Sequence, residues 1–140
     1  MPTTRLYLMR HGQTDWNAKG ILQGRSDIAL NETGRLQAHS AGQKLAVLAF
    51  DAVYSSPLCR AAETAHIVSG LPRRAIQLDE RLLEIAFGDN EGKDTHLLGP
   101  DFGTFFSAPA QYIPSKGGES LFDLQRRVYS FLPFLLRHHE

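Results

Sequence analysis

The chain is 140 residues long, 42% hydrophobic and 21% charged, with 15 basic and 15 acidic side chains that cancel. These proportions fit one soluble globular domain with a core of ordinary size. Without net charge there is no global field to draw nucleic acid or an anionic membrane, so any affinity for phosphate must come from a local cluster of cations.

In chain order, residues 5–9 read as a buried strand, with Leu6-Tyr7-Leu8-Met9 running straight into Arg10-His11-Gly12-Gln13-Thr14. Residues 10–32 hold Gly12, Gly20 and Gly24 among many polar side chains and read as a functional loop. Asn31-Glu32-Thr33-Gly34 then opens a helix to residue 48, whose Leu36, Ala41, Leu45 and Leu48 roughly follow helical spacing. A second strand over 51–55 closes on Ser56-Pro57, and Pro57 suits the start of a helix predicted over 58–69. Gly70, Leu71 and Pro72 end that helix, and 75–78 form a third strand leading into Asp79-Glu80-Arg81-Leu82-Leu83-Glu84. Residues 88–118 are rich in glycine, proline and polar groups and predict a long excursion with one short helix over 102–106. A last helix over 119–137 carries one apolar stripe, Leu121, Leu124, Val128, Phe131 and Leu135, with Pro133 placed to kink it. Strands alternating with helices argue for a single α/β layered domain over residues 1–140, with parallel strands.

Chemistry concentrates at the Arg10-His11-Gly12 turn. Ligands of open α/β sheets bind beyond the carboxyl ends of strands, which is where this turn falls. A planar guanidinium suits phosphate, and an imidazole can attack a phosphoryl group. To do so it must be neutral at the reacting nitrogen, with its other nitrogen donating to an acceptor that fixes the tautomer. No set of His, Cys and carboxylate residues has metal-ligand spacing, and no glycine-rich nucleotide loop is present, so neither metal nor cofactor is expected. The lone Cys59 rules out an internal disulfide and reads as a small packed hydrophobe in a reducing compartment. With no apolar signal core and no run of transmembrane length, the expectation is a cytoplasmic protein that engages no membrane.

Four stretches occur in an order that resembles the histidine phosphatase superfamily, also called the phosphoglycerate mutase-like family. They are Arg10-His11-Gly12 with Thr14 and Asn17; Ser55-Ser56-Pro57-Leu58 with Arg60, Glu63 and Thr64; Leu83-Glu84 followed by Gly88 and Glu91-Gly92; and Gly117-Gly118-Glu119-Ser120. The resemblance covers nearly all of the chain and implies a layered α/β sandwich with a mostly parallel sheet and helices on both faces. It implies that His11 is the nucleophile that becomes a phosphohistidine, and that Arg10 and Arg60 clamp the phosphoryl oxygens. Asn17, Gln23 and Gly24 would line the phosphate pocket, with Thr14 either shaping the turn or touching substrate. Ser56 would either orient His11 or cap the following helix. Glu84 would be the general acid, favoured over Glu80 and Glu91. It must hold a proton near neutral pH, which an adjacent phosphate dianion and partial burial favour.

The chain also departs from the pattern. Family members ordinarily continue past the last helix into a further strand ending in a second His-Gly, and this sequence stops at Glu140. His138 and His139 have no apolar strand before them and no glycine after, so they are poor substitutes. The expectation is a C-terminally incomplete sheet with uncovered apolar surface on Phe131, Phe134, Leu135 and Leu136, a surface that favours association with another copy. Truncation, completion by a partner copy and loss of turnover each account for this. The function expected is a phosphomonoester hydrolase acting on a small phosphorylated substrate. The alternatives are a cofactor-dependent phosphoglycerate mutase, disfavoured because the excursion carries only Lys93 and Lys116 as basic residues, and a phosphate-binding domain without efficient turnover.

Overall fold

Thr14 starts the first regular element, in a computed structural model that describes residues 4–138. Its hydroxyl accepts the Asn17 amide and the Asn17 side chain accepts the Thr14 amide, both at 3.1 Å, a reciprocal cap for the single turn α1 (Asp15–Ala18). The sequence reading, which made residues 10–32 a loop, missed this turn. Asn31 caps α2 (Glu32–Leu45) by accepting the Gly34 amide at 2.9 Å. Strand β1 (Tyr54–Ser55) leads through Ser56-Pro57-Leu58 into α3 (Cys59–Ser69), which ends on Gly70 in the left-handed conformation. Strand β2 (Gln77–Leu78) follows, then α4 (Pro100–Ser107) and α5 (Leu121–His138), the last containing Pro133.

β1 and β2 pair in parallel, Tyr54 opposite Gln77 and Ser55 opposite Leu78, with α3 as the connection between them. A parallel pair needs such a crossover, so this is a βαβ unit and the fold is α/β. α2 packs on α3, and α3 packs on β1. α5 meets β1 through the Tyr54 ring, which lies edge-on to Phe131 at 5.4 Å and to Phe134 at 6.0 Å. The Arg81 guanidinium covers both phenyl rings, 5.1 and 4.5 Å from their centroids.

Two expectations fail here. Phe131 and Leu135 are buried and Phe134 is half-buried, the two phenyl rings being covered by Tyr54 and Arg81; of the four residues expected to be bare, only Leu136 is exposed. Residues 5–9 are not a buried strand: they carry no regular structure, and Leu8 is 96% exposed. Apolar composition makes a strand only where a neighbouring strand takes its amides and carbonyls. Among the described residues none pairs with this segment, and Tyr7 instead rests edge-on against Phe50 at 5.9 Å.

The main apolar cluster lies beneath the excursion. Ile85, Phe87, Phe102 and Tyr112 are buried together, with Leu22, Phe105 and Leu124 packed against them. Residues 88–118 are therefore folded back as a wall, stitched down by bridges from Ile21 to Asp94 and from Phe87 to Gly118. Because Ile85 and Phe87 are buried while Glu84 is exposed, the chain presents Glu84 on the opposite side from the core.

Candidate functional site

His11 sits where the end of the apolar segment is pinned from two sides. The Gly12 amide donates to Thr64 Oγ1 at 3.1 Å, and that hydroxyl donates to the Arg60 carbonyl at 2.7 Å, so α3 holds the turn. From the other side α2 arrives so closely that a Cβ on Gly12 would overlap the Gly34 carbonyl, and one on Gly34 would overlap Gln13 O. Only glycine at both positions permits this approach.

The imidazole is held in one tautomer. Nδ1 donates to the Gly12 carbonyl at 2.7 Å, which leaves Nε2 as the acceptor, and Arg60 Nε donates to it at 3.2 Å. Burial pushes the His11 pKa below 6.5; the Gly12 hydrogen bond opposes this, and the charges of Arg60 and Arg10 add to it. The histidine is thus neutral near pH 7 with its lone pair on Nε2.

Arg60 is 1% exposed, an unusual state for a cation. Its fork donates to the carbonyls of Ser26 at 2.8 Å and Gly24 at 2.6 Å. Burial works against its charge, and among the described residues no carboxylate pairs with it directly. A buried guanidinium held by carbonyl dipoles is a site with unspent positive charge.

The carbonyl loop is itself locked by Glu91. Its two oxygens accept four hydrogen bonds, from the amides of Arg25 and Phe87 at 3.0 Å and from the Ser26 amide and hydroxyl at 2.8 and 2.7 Å. Burial opposes the charge, but these hydrogen bonds outweigh it and keep the carboxyl below its ordinary 4.5. Gly24 has φ +52 and sits against the same carboxylate, leaving no room for a Cβ.

The sequence-derived residues converge. A cleft of about 330 Å³ is lined by Arg10, His11, Asn17, Gln23, Gly24, Arg60 and Glu84 together. Arg10 is exposed at its mouth. Asn17 spends its carbonyl oxygen on Thr14, and Gln23 accepts the Thr14 hydroxyl at 2.6 Å, so Thr14 shapes the loop. Glu84 is exposed rather than half-buried; its Oε1 accepts the next amide, Ile85, at 2.9 Å. Ser56 serves the helix, accepting the Leu58 amide at 3.3 Å. Asp27 takes the Cys59 amide at 2.7 Å, so the start of α3 is already occupied by a carboxylate. Among the described histidines only His11 lines the cleft; His138 ends α5 with its ring 4.3 Å from Phe134, and His139 lies outside the described residues. Among the described residues no metal-binding group of His, Cys and carboxylates is present.

Glu91, Arg25 and Gly34 carry more of the site than sequence reasoning gave them. Glu91 entered as part of the Glu91-Gly92 match and as a competing acid, with no structural role, and nothing in the local pattern around Arg25 marked it. A larger hollow of about 460 Å³ adjoins the cleft through Leu22, Thr95 and Phe106, which line both, and its remaining wall is mostly apolar.

Known proteins resemble the chain over most of its length. The chain is 39% identical to Bacillus stearothermophilus YhfR, with a TM-score of 0.85 over 94% of this chain and 66% of that one. It is 32% identical to a mycobacterial glucosyl-3-phosphoglycerate phosphatase solved with VO3, with a TM-score of 0.77 over 91% of this chain and 64% of the other. Against the 2,3-bisphosphoglycerate-dependent phosphoglycerate mutase of Brucella ovis it is 34% identical, over 96% of this chain and 69% of that protein. The chain thus spans roughly two thirds of the length of these relatives. The family model of the histidine phosphatase superfamily, branch 1, matches residues 6–140, and the chain belongs to that superfamily.

Proposed function

We propose that the cleft is the phosphoryl-transfer site of a phosphomonoester hydrolase that works through a phosphohistidine on His11. The observation that carries this reading is the pairing of a neutral imidazole, its Nε2 lone pair facing Arg60 Nε, with the buried guanidinium of Arg60, which has no ion-pair partner among the described residues. A phosphate monoester would enter with its oxygens between Arg60 and Arg10, and Arg60 Nε would transfer its hydrogen bond from His11 to a phosphoryl oxygen. The side-chain NH2 of Asn17 and the backbone amides of Gln23 and Gly24 complete the cradle.

In the first step Nε2 forms a P–N bond as the P–O ester bond breaks. The electron pair goes to the leaving oxygen, which takes a proton from the Glu84 carboxylic acid. In the second step water attacks phosphorus as the P–N bond breaks and its electron pair returns to Nε2; Glu84 carboxylate takes the water's proton, and orthophosphate and free His11 result.

Hydrolysis is favoured over a mutase reaction by the wall of the cleft. Lys93, one of the two lysines of the excursion, is tied to Asn90 at 3.3 Å, and the adjoining hollow is apolar, so little awaits a second phosphate. The relation to the Brucella mutase supports the competing reading. A cytoplasmic setting and a homo-oligomer that covers the C-terminal region belong to this proposal; among the described residues no helix is long and apolar enough to cross a membrane.

The experiment is single-turnover labelling with an aryl phosphate carrying a labelled phosphoryl group. Acid-labile label on His11, lost in His11→Ala and released by water as orthophosphate, is the expected result. Label that passes only to phosphoglycerate identifies a mutase, stable label without release a domain without turnover, and label surviving His11→Ala overturns the mechanism.

A further inference from the structure

The tripeptide Gly24-Arg25-Ser26 faces two ways. Its outer carbonyls, Gly24 O and Ser26 O, receive the Arg60 fork and so carry the nucleophile half of the site. Its middle side chain reaches in another direction: Arg25 Nε donates to the Glu84 carbonyl at 3.2 Å, and Arg25 Nη2 meets Glu119 Oε2 at 3.2 Å. Glu119 is in turn gripped by Arg127 at 2.6 and 2.8 Å, and Arg127 Nη2 also donates to the Glu84 carbonyl at 3.2 Å. Both lone pairs of that carbonyl are therefore taken by arginines fixed to one carboxylate. The Glu84 side chain, folded back onto the Ile85 amide, has its position set by where this carbonyl is held.

We infer that Arg25 is a positioning residue that holds the Glu84 acid in register with the His11–Arg60 pair. It does not line the cleft. Arg127 fixes the same carbonyl from α5, but only Arg25 does so from the loop that also holds Arg60. A shift of that loop would thus move acid and nucleophile together, which keeps their spacing constant. The inference rests on the hydrolase reading above, in which Glu84 protonates the leaving oxygen. Removing the Arg25 side chain leaves its amide on Glu91, so the carbonyls that hold Arg60 stay in place.

The test compares two esters of similar size in single-turnover labelling of His11: benzyl phosphate, whose alkoxide needs a proton to leave, and 2,4-dinitrophenyl phosphate, whose phenolate does not. Misplacement of a catalytic group by an ångström costs about 100-fold, so Arg25→Ala should slow labelling from benzyl phosphate by about 10- to 100-fold. Labelling from the dinitrophenyl ester and binding of orthophosphate should stay within about twofold, because the acid is not used there. Arg25→Lys, which keeps a cation for Glu119 and a donor for the carbonyl, should recover part of the lost rate. Equal loss on both esters would make Arg25 a structural residue and overturn the inference, as would no loss on either. Glu84→Gln is the reference: if it shows no difference between the esters, the acid assignment itself fails, whatever Arg25 does.

Discussion

Arg60 Nε donates to His11 Nε2 across 3.2 Å, so the atom proposed to attack phosphorus rests against a fixed positive charge. That charge and the burial of the ring both disfavour imidazolium, and they make the site's response to pH calculable in sign. The His11 resonances should titrate below the ordinary 6.5, and labelling of His11 from 2,4-dinitrophenyl phosphate, whose phenolate leaves without a proton, should be constant above that midpoint and fall as pH drops through it. Its folded-state pKa is depressed, so the linked stability is complete above pH 6.5 and is lost as pH falls from 6.5 through the folded value. A midpoint at or above 6.5 by NMR would contradict the neutral tautomer described here.

Arg60 also fills a place in the fold. Arg60→Ala strips the donors from Gly24 O and Ser26 O, at roughly 1–3 kcal/mol for each buried acceptor left unpaired, and should abolish orthophosphate binding. Arg60→Lys keeps the charge without the fork and should lose less stability but still weaken phosphate by at least about tenfold. Urea denaturation and calorimetric phosphate titration check the pair; equal phosphate affinity for Lys and Arg would show that the fork is not needed.

Gly24→Ala combines a left-handed backbone with a methyl group driven against Glu91, and a loss of about 2 kcal/mol is expected. Glu91→Gln should cost a similar amount, about 2 kcal/mol, by weakening hydrogen bonds to a charged acceptor. Because the Glu91 carboxyl is held below 4.5, its contribution is present above that pH and lost as pH falls through the folded value. The acid limb of the stability curve should accordingly be shallower in Glu91→Gln than in the native chain; identical limbs would remove Glu91 from this role.

Gly34 lies on α2, away from the reacting atoms, yet Gly34→Ala should slow His11 labelling as well as destabilise the chain. The added methyl pushes α2 off the Gln13 carbonyl next to the nucleophile's turn, at a cost of about 1–3 kcal/mol. Thermal unfolding read beside single-turnover labelling tests this, and an unaltered labelling rate would show that the turn tolerates the shift.

Cys59 should be slow to alkylate. Burial, with a hydrogen bond and the charge of Asp27, pushes its thiol up to about 11, so little thiolate exists at pH 8. Asp27→Asn should speed the reaction with iodoacetamide; a native rate matching a free thiol would refute the contact.

Most helices were legible because each is bounded by residues whose local chemistry ends or starts a helix. Asn31 and Gly70 stand at caps, and α2 and α3 begin within a residue of their predicted starts. α4 needed only proline and a cluster of phenylalanines. The strand over 5–9 was misread because pairing is a property of two segments, and composition speaks for one. Within the site, the seven candidate residues read from the sequence all line the cleft, whereas Ile21, Leu22 and Thr95 on the same wall carry no local mark of it. The supports were invisible for a different reason: Glu91 and Arg25 act on backbone atoms far away in sequence, and a carboxylate that takes amides looks the same in a sequence as one that gives a proton.

The carbonyl cage around Arg60 has a last consequence. Carbonyl dipoles hold the guanidinium without cancelling its charge, so the cleft attracts any tetrahedral dianion that fits. Orthophosphate offers it the same oxygens as the ester it came from. On the hydrolase reading the protein is therefore inhibited by its own product, in simple competition. The ambient phosphate level then acts as a throttle, setting how many molecules stand empty and ready to react.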